Sequence, residues 1–506
     1  MPGAAPIGFG SLGNGFRPVD EHKGSTMTAT DDARRWLVLA IVGAAFFMTI
    51  LDVTIVNVAL PSLGRSLRAS DSGLSWVLTA YSLTFGGLLL LGGRAADLLG
   101  RRRVFLVGLV LFVVASLVCG LANDLGVLVT ARAVQGVGAA IISPAALSIV
   151  MTVFAEGADR NKALGVWGAL GGSGAAVGVL LGGIITKWLG WEWIFFVNVP
   201  VGVLVLVGCL AFVRESRVET RERAFDPAGA LTATGSLVAL VYAVAKAPDV
   251  GWADVQTIVL LVVSVVLAAV FVAIERRVSQ PIMPLGILRT RTVAAASVVG
   301  LLLGAVTFGT FFVLTLYVQQ VLGWSALKTG VTFLATAGTS VLWAGLSQAL
   351  VTRVGPRRVM VVGLVLMGVA TVLYALVPVQ GTYAADLLPG YLMFAAGIAG
   401  ASIPVSIAAL AGVPDREAGL ASGLFNTKRQ IGGALGVSIA ATLATSRYRT
   451  LLGEGADPAT AATSGYHYAF WFLAGLAFAG ALVALLVVRD SELAAGADGA
   501  ARGVWL

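Results

Sequence analysis

Two ionisable side chains, Asp52 and Arg132, stand well inside long apolar stretches of this chain. At the centre of a bilayer each would cost at least about 2.5–3.5 kcal/mol, so each calls for a function or a partner. Burial disfavours the charge of a lone carboxylate. That suits Asp52 to taking up a proton from one side and releasing it to the other. Arg132 keeps its charge and would set the local field around that proton. The plainer alternative is a mutual salt bridge that only locks two segments together. Gln135 lies one turn on from Arg132 and adds polarity to the same helix face.

Three other patterns carry chemistry or motion. Gly174, Gly178 and Gly182 recur every four residues, and a row of this kind lets two helices approach closely. It serves either plain tight packing or an interface that opens and closes. The segment Gly93-Arg-Ala-Ala-Asp97-Leu-Leu-Gly100-Arg101 holds a single acid among basic residues. It is either a basic anchor or a switch in which Asp97 pairs with an Arg or a helix N-terminus in one state and releases in another. Trp76, Tyr81, Gln135, Gln319 and Trp343 offer polar or aromatic handles for a substrate cavity, with core packing as the alternative role of each. Cys119 and Cys209 lie in apolar runs and read as small buried hydrophobes. His22 and His467 have no Cys, His or acidic cluster beside them, so neither a metal site nor a cofactor is expected.

The elements that must hold these residues follow from composition. Of 506 residues 58% are hydrophobic and 12% charged, against about 25% charged in soluble domains. Mean hydropathy is +0.91. These values exclude a soluble enzyme, a nucleic-acid-binding protein and a disordered regulator. With about 20 apolar residues per membrane helix, fourteen stretches qualify. They are 37–60, 73–93, 103–121, 126–151, 163–186, 193–213, 228–246, 256–274, 294–320, 328–350, 358–377, 388–411, 431–446 and 467–488. Residues 1–35 lack the apolar core of a signal peptide and read as a cytosolic tail, with Met27 a second candidate start. With the N-terminus inside, 26 of the 34 Lys and Arg fall on inner segments, 7 on outer ones and Arg132 within a span. That is a strong positive-inside pattern, and it explains the net charge of +8 without nucleic acid.

The two long charged inner loops bracket spans 7 and 8, leaving six spans before and six after. Aligned on Gly100 and Gly355, the loops after spans 2 and 10 both place a basic cluster behind a glycine. The expected fold is therefore an all-α polytopic membrane protein with fourteen transmembrane helices in a 6+2+6 arrangement. Its parts are a tail at 1–35, a six-helix bundle at 36–213, a linker with two extra helices at 214–291, a second bundle at 292–488 and a tail at 489–506. Internal duplication of this kind belongs to alternating-access transporters.

The motifs resemble a known family. Gly93-x-x-Ala96-Asp97-x-x-Gly100-Arg101-Arg102 resembles the loop 2–3 signature of the major facilitator superfamily. Leu51-Asp52-Val-Thr54-Ile-Val-Asn57-Val-Ala59-Leu60-Pro61 resembles the first span of its fourteen-span drug:proton antiporters of EmrB/QacA type. Arg132-Ala-Val-Gln135-Gly136-Val-Gly138 resembles their fourth span, and Gly165, Gly174, Gly178, Gly182 and Gly183 keep the glycine spacing of the fifth. Trp191-Glu-Trp193-Ile-Phe-Phe-Val-Asn198-Val-Pro200 is similar to the start of the sixth, and Arg429-Gln430-Ile-Gly432-Gly433 to a late motif. The resemblance implies the major facilitator fold and proton-driven efflux of small hydrophobic or cationic compounds. It makes Asp52 the proton-coupling acid and Arg132 its basic partner. Gly93, Asp97, Gly100 and Arg101 would form a conformational latch, and the five glycines an antiporter hinge. It implies a monomer in the cell membrane with both termini cytoplasmic, using the proton gradient and no cofactor. Three positions depart from the pattern: Val179 follows Gly178 where the family has Pro, Glu192 stands between the two Trp, and Thr352 replaces the second-half acid.

No soluble sensor domain, nucleophile–base pair or metal cluster stands out, which argues against a receptor or membrane enzyme. No Walker-A loop marks an ATP-driven pump. Export of a lipid or of one dedicated natural product keeps the same fold and remains the alternative substrate class. One interior acid leaves a dication partly unpaired, so monocationic dyes should be extruded faster than dicationic ones. Equal efflux rates in a dye-accumulation assay would refute this.

Overall fold

The computed structural model describes residues 29–154, 158–216, 226–278, 291–410 and 415–489, and these are helical with no strand among them. The first half consists of α1 (Ala29–Leu67), α2 (Asp71–Leu99), α3 (Arg101–Gly120), α4 (Leu125–Val153), α5 (Ala158–Trp188), the single turn α6 (Trp193–Phe196) and α7 (Asn198–Phe212). A hairpin of α8 (Pro227–Val250) and α9 (Val255–Glu275) follows. The second half holds α10 (Arg291–Leu316), α11 (Ala326–Val354), α12 (Pro356–Tyr374), α13 (Leu388–Leu410), α14 (Asp415–Gly453) and α15 (Pro458–Val487).

Short polar residues start these helices. Ser70, Asp124, Asp226, Asp254, Ser325 and Asp457 each accept a bond from a backbone N–H in the first turn of the helix that follows, the standard means of satisfying otherwise orphaned donors. Pro227, Pro356 and Pro458 stand at first-turn positions, where a missing N–H is harmless. Two glycines turn corresponding corners. Gly100 joins α2 to α3 at φ 108° and Gly355 joins α11 to α12 at φ 89°. A side chain at either corner would be strained. The sequence repeat is thus a repeat of backbone geometry.

Packing repeats as well. In the first half α1 lies on α5, α2 on α4, and α3 on α4 and α7; in the second α10 lies on α14, α11 on α13, and α12 on α13 and α15. The halves meet along two equivalent seams, α2 with α14 and α5 with α11. The α8–α9 hairpin backs one of them. Trp76 of α2 meets Tyr242 of α8 with ring centroids 5.7 Å apart, and Thr442 of α14 donates to the Val244 carbonyl at 3.3 Å. α9 packs on α8 and otherwise presents residues such as Val255 and Val265 outward.

Among the described residues, twelve helices are long and apolar enough to cross a membrane, and α8 and α9 are among them. The two sequence spans outside that set are those of α5 and α14. The described apolar stretch of α5 is Val177–Trp188, and α14 is rich in Gly, Ala, Ser and Thr with Lys428 and Arg429 along it. Both lie between other helices, where small residues suit close packing. The sixth sequence span is broken at Val197 between α6 and α7, and the ninth ends in a π-helical turn at Tyr317–Val321.

Backbone approach at the α5–α11 seam depends on glycine. A Cβ on Gly183 would lie 2.7 Å from the Ala326 carbonyl oxygen, and one on Gly330 2.7 Å from that of Val179, whereas Gly345 has open space. Gly183→Ala should therefore destabilise the protein by about 1–3 kcal/mol, the usual range for overpacking, and Gly345→Ala should not. Thermal unfolding of the two detergent-solubilised variants checks this.

Candidate functional site: a buried carboxylate–guanidinium centre

Asp52 and Arg132 meet. Asp52 is at mid-length of α1 and Arg132 in the half of α4 nearer its N-terminus, and both are fully buried. Arg132 Nη1 donates to Asp52 Oδ2 in a direct ion pair. The guanidinium also donates from Nε to the Val77 carbonyl of α2 at 3.1 Å and from Nη1 to Gln135 Oε1 at 2.7 Å. It lies 4.3 Å from the Tyr81 ring centroid and 5.7 Å from that of Phe195. Cation–π contacts of this sort are strongest when desolvated.

The second carboxylate oxygen is equally occupied. Asp52 Oδ1 accepts from Gln135 Nε2 at 2.9 Å and from Asn198 Nδ2 at 3.0 Å. Both amides also reach Ser116 Oγ, at 3.2 and 3.0 Å, and that hydroxyl donates to the Phe195 carbonyl at 2.9 Å. Every polar contact made by Asp52 comes from a donor, which is the geometry of an ionised carboxylate. A proton placed on either oxygen would find no acceptor there. Protonating Asp52 therefore requires Arg132 or one of the amides to let go. A proton on Asp52 would thus need a side-chain rearrangement between α1 and α4.

Asn198 and Ser116 are functional neighbours that sequence reasoning assigned no role. Asn198 carried a signal, an amide in the apolar run after Trp193. Ser116 carried none, because a lone Ser in a membrane helix commonly bonds its own backbone.

The glycine row presses α5 onto the segment of α1 around Asp52. A Cβ on Gly174 would meet Ile50 at 3.0 Å, one on Gly178 the Thr54 hydroxyl and the Leu51 carbonyl, and one on Gly182 the Ile55 carbonyl at 2.8 Å. Gly183 faces α11 instead, and Gly165 has open space. At the α2–α3 end, Gly93 lies against Pro144 of α4, and Arg101 donates to Thr152 Oγ1. The side chain of Asp97 lies outside the described residues. A different acid acts at this corner: Glu215, beyond α7, accepts from the Arg102 and Arg103 backbone N–H groups at 3.0 Å each. It caps α3 across sequence, favourably placed against the helix dipole.

The other cavity candidates are dispersed. Tyr81 roofs the ion pair. Trp76 faces α8. Gln319 is buried and donates to the Val58 carbonyl at 2.8 Å, joining the halves. Trp343 is half-buried on α11. A cavity of about 10 Å³ lies beside the pair, lined by Asn57, Thr79, Tyr81, Ser82, Arg132 and Phe308 among others. The described residues hold no cluster of His, Cys, Asp and Glu fit for a metal ion.

Replacing Arg132 with Met should leave Asp52 buried without its counter-charge. Such a loss costs about 3–5 kcal/mol. Arg132→Met should therefore unfold at lower temperature than Asn198→Leu, which leaves the ion pair intact. Thermal-shift measurements on the two variants compare them directly.

Comparison with known proteins places the chain in a family. The chain is 41% identical over 478 residues to the puromycin resistance protein pur8 of Streptomyces alboniger, covering 93% of this chain and 94% of that protein. It is 37% identical over 405 residues to the multidrug resistance protein Stp of Mycobacterium tuberculosis, covering 80% and 74%. It is 35% identical over 463 residues to the cephamycin export protein CmcT of Amycolatopsis lactamdurans, covering 91% and 92%. Among solved structures, an auto-inhibited POT family peptide transporter superposes with a TM-score of 0.68 at 16% identity, covering 90% of this chain and 97% of that one. That likeness concerns the fold alone. The family model of the Major Facilitator Superfamily matches residues 42–437, a range that holds the ion pair, the glycine row and both glycine corners, so the chain belongs to that superfamily of membrane transporters.

Proposed function

We propose that this transporter is a fourteen-span exporter that couples inward proton movement to efflux of small hydrophobic or cationic antibiotic-like molecules. The observation that carries the reading is the Asp52 centre, a fully buried carboxylate whose ionised state is satisfied by Arg132, Gln135 and Asn198 together. A group so held changes its surroundings when it gains a proton, which is what coupling needs.

The repeat supports fourteen crossings. α5 and α14 are the equivalents of one another in the two halves, and each spans the length of its neighbours while packing against them. Counting both with the twelve apolar helices returns the 6+2+6 order. The positive-inside pattern favours both termini in the cytoplasm of a cell-membrane protein, and we take the protein to act as a monomer. Substrate class rests on the relatives, whose names tie them to puromycin, cephamycin and multidrug resistance. A dedicated natural product is the second reading, favoured by relatives named for export of a single antibiotic, such as the tetracenomycin C resistance and export protein of Streptomyces glaucescens.

Asp52→Asn keeps the size of the side chain and removes the charge that takes a proton. Cells carrying it should accumulate drug as strongly as wild-type cells treated with a protonophore, with efflux reduced at least about tenfold, the scale of a lost charged contact of 1.4 kcal/mol or more. Full efflux by Asp52→Asn, or efflux by the wild type after collapse of the proton gradient, would overturn the reading.

A further inference from the structure

At the end of the molecule where α1 turns into α2, the halves are joined by three side chains that close on one another. Gln320, in the π-helical turn after α10, donates from Nε2 to Asp71 Oδ1 at 2.9 Å. Tyr466 of α15 places its hydroxyl 3.1 Å from Asp71 Oδ2 and 2.5 Å from Gln320 Oε1. Asp71 belongs to the first half, and Gln320 and Tyr466 to the second. The three groups form a ring of three polar contacts across the seam.

A count of protons settles what such a ring requires. Three contacts need three hydrogens. The amide of Gln320 brings one donor and one acceptor into the ring, whichever way it is turned, and the Tyr466 hydroxyl brings one hydrogen. An ionised Asp71 brings none, so the single Tyr466 hydrogen must serve both Asp71 Oδ2 and Gln320 Oε1, and one of the two contacts is left weak. A protonated Asp71 completes the ring: Asp71 donates to Tyr466, Tyr466 to Gln320, and Gln320 to Asp71. Nearby cations offer no alternative partner. Arg65 turns to Ser62, Lys328 lies over the Trp324 ring, Arg447 lies over Tyr468 beside Ser464, and Arg68 is exposed. His467, next to Tyr466, points its ring at the Val377 carbonyl, and Tyr448 of α14 lies behind Tyr466. Asp71 has no ion pair among the described residues. Gln320 is exposed, so protons from solution reach the ring.

We propose that Asp71, Gln320 and Tyr466 form a proton-dependent latch that holds this end of the transporter closed only while Asp71 is protonated. The latch rests on the reading that the two halves alternate, and it adds a second proton-responsive group, at the start of α2, to Asp52 of α1. The sign follows directly. Acid on this side protonates Asp71, completes the ring and favours the closed end. Rising pH removes the proton, weakens one contact and lets the halves part. On an exporter whose α1–α2 end faces an acidic exterior, the latch shuts the outer door behind an entering proton.

Spin labels at Ser66→Cys and Glu454→Cys, both exposed and on opposite halves, report the separation of this end, while Cys119 and Cys209 stay buried. In the full-length protein the ratio of short to long distances should rise as pH falls, by up to about tenfold per pH unit for one linked proton. Asp71→Asn supplies the missing donor permanently, so its short-distance population should dominate at every pH. Tyr466→Phe breaks the ring and should lose the pH response with the end open. A response that survives in Asp71→Asn, or is absent from the wild type, overturns the latch. The same measurement on Asp52→Asn separates the two readings. If that variant loses the response while Asp71→Asn keeps it, the latch falls and coupling through Asp52 stands. If Asp52→Asn still drives proton-coupled efflux, the proposed role of Asp52 falls while the latch is judged on the distances alone.

Discussion

Everything in the first half is arranged around the removal of Asp52 and Arg132 from water. Two charges taken into a low-dielectric interior are tolerated only when their mutual attraction is joined by hydrogen bonds to every remaining donor and acceptor. Here the bonds come from the α2 backbone at Val77, Gln135 on α4 and Asn198 at the start of α7, the Tyr81 ring covers the guanidinium, and Ser116 on α3 holds the two amides in place. The turn from α6 into α7, where Val197 keeps helical φ and ψ, carries the Phe195 carbonyl and the Asn198 amide that both meet Ser116. The second half repeats the packing without repeating this centre. Its interior is filled by rings, with Tyr374 against Tyr391, Phe394 and Phe470.

The glycine row decides how that centre communicates. One face of α5 touches α1 at Ile50, Leu51, Thr54 and Ile55, immediately around Asp52, and Gly183 on another face touches α11 of the opposite half. Close-packed backbones transmit displacement because they have no side chains to absorb it. Movement of the second half against α5 therefore reaches the helix that carries Asp52. The other seam is different in kind. There α8 lies across α2 and α14, with Val241 packed against Leu83 and Ala434, so the extra hairpin backs this seam, whereas the α5–α11 seam rests on glycine contacts.

Much of this was legible in the sequence, and the reasons differ by residue. Asp52 and Arg132 stand out because a charge in an apolar run has few explanations, and their pairing follows from the lack of other partners. The corner glycines were legible as an alignment, and the positive φ of Gly100 and Gly355 gives the physical cause. The roles of Asn198, Ser116 and Glu215 were not legible. Neutral polar residues are common in membrane helices, and a carboxylate in a charged loop has many solvated alternatives; only the fold decides which donors they meet. Trp76 and Gln319 show the same limit from the other side. Their types suggested a cavity, yet one is placed against α8 and the other across the seam, because side-chain chemistry does not encode which face of a helix meets which neighbour.

On the proposed function, charge counting links the centre to the direction of exchange. With Asp52 ionised the pair is neutral. With Asp52 protonated the same site carries one uncompensated positive charge, from Arg132, in a medium that screens it poorly. A cationic substrate near this centre is then repelled, while the ionised state tolerates it. Proton and cation oppose each other's binding through a single electrostatic term, without any direct contest for the same atoms. For a neutral substrate that term vanishes, and opposition has to come through helix movement, along α5 and its glycines. The same architecture thus accommodates both kinds of cargo, but by different couplings, and the relative efflux of charged and neutral substrates reports which of the two dominates.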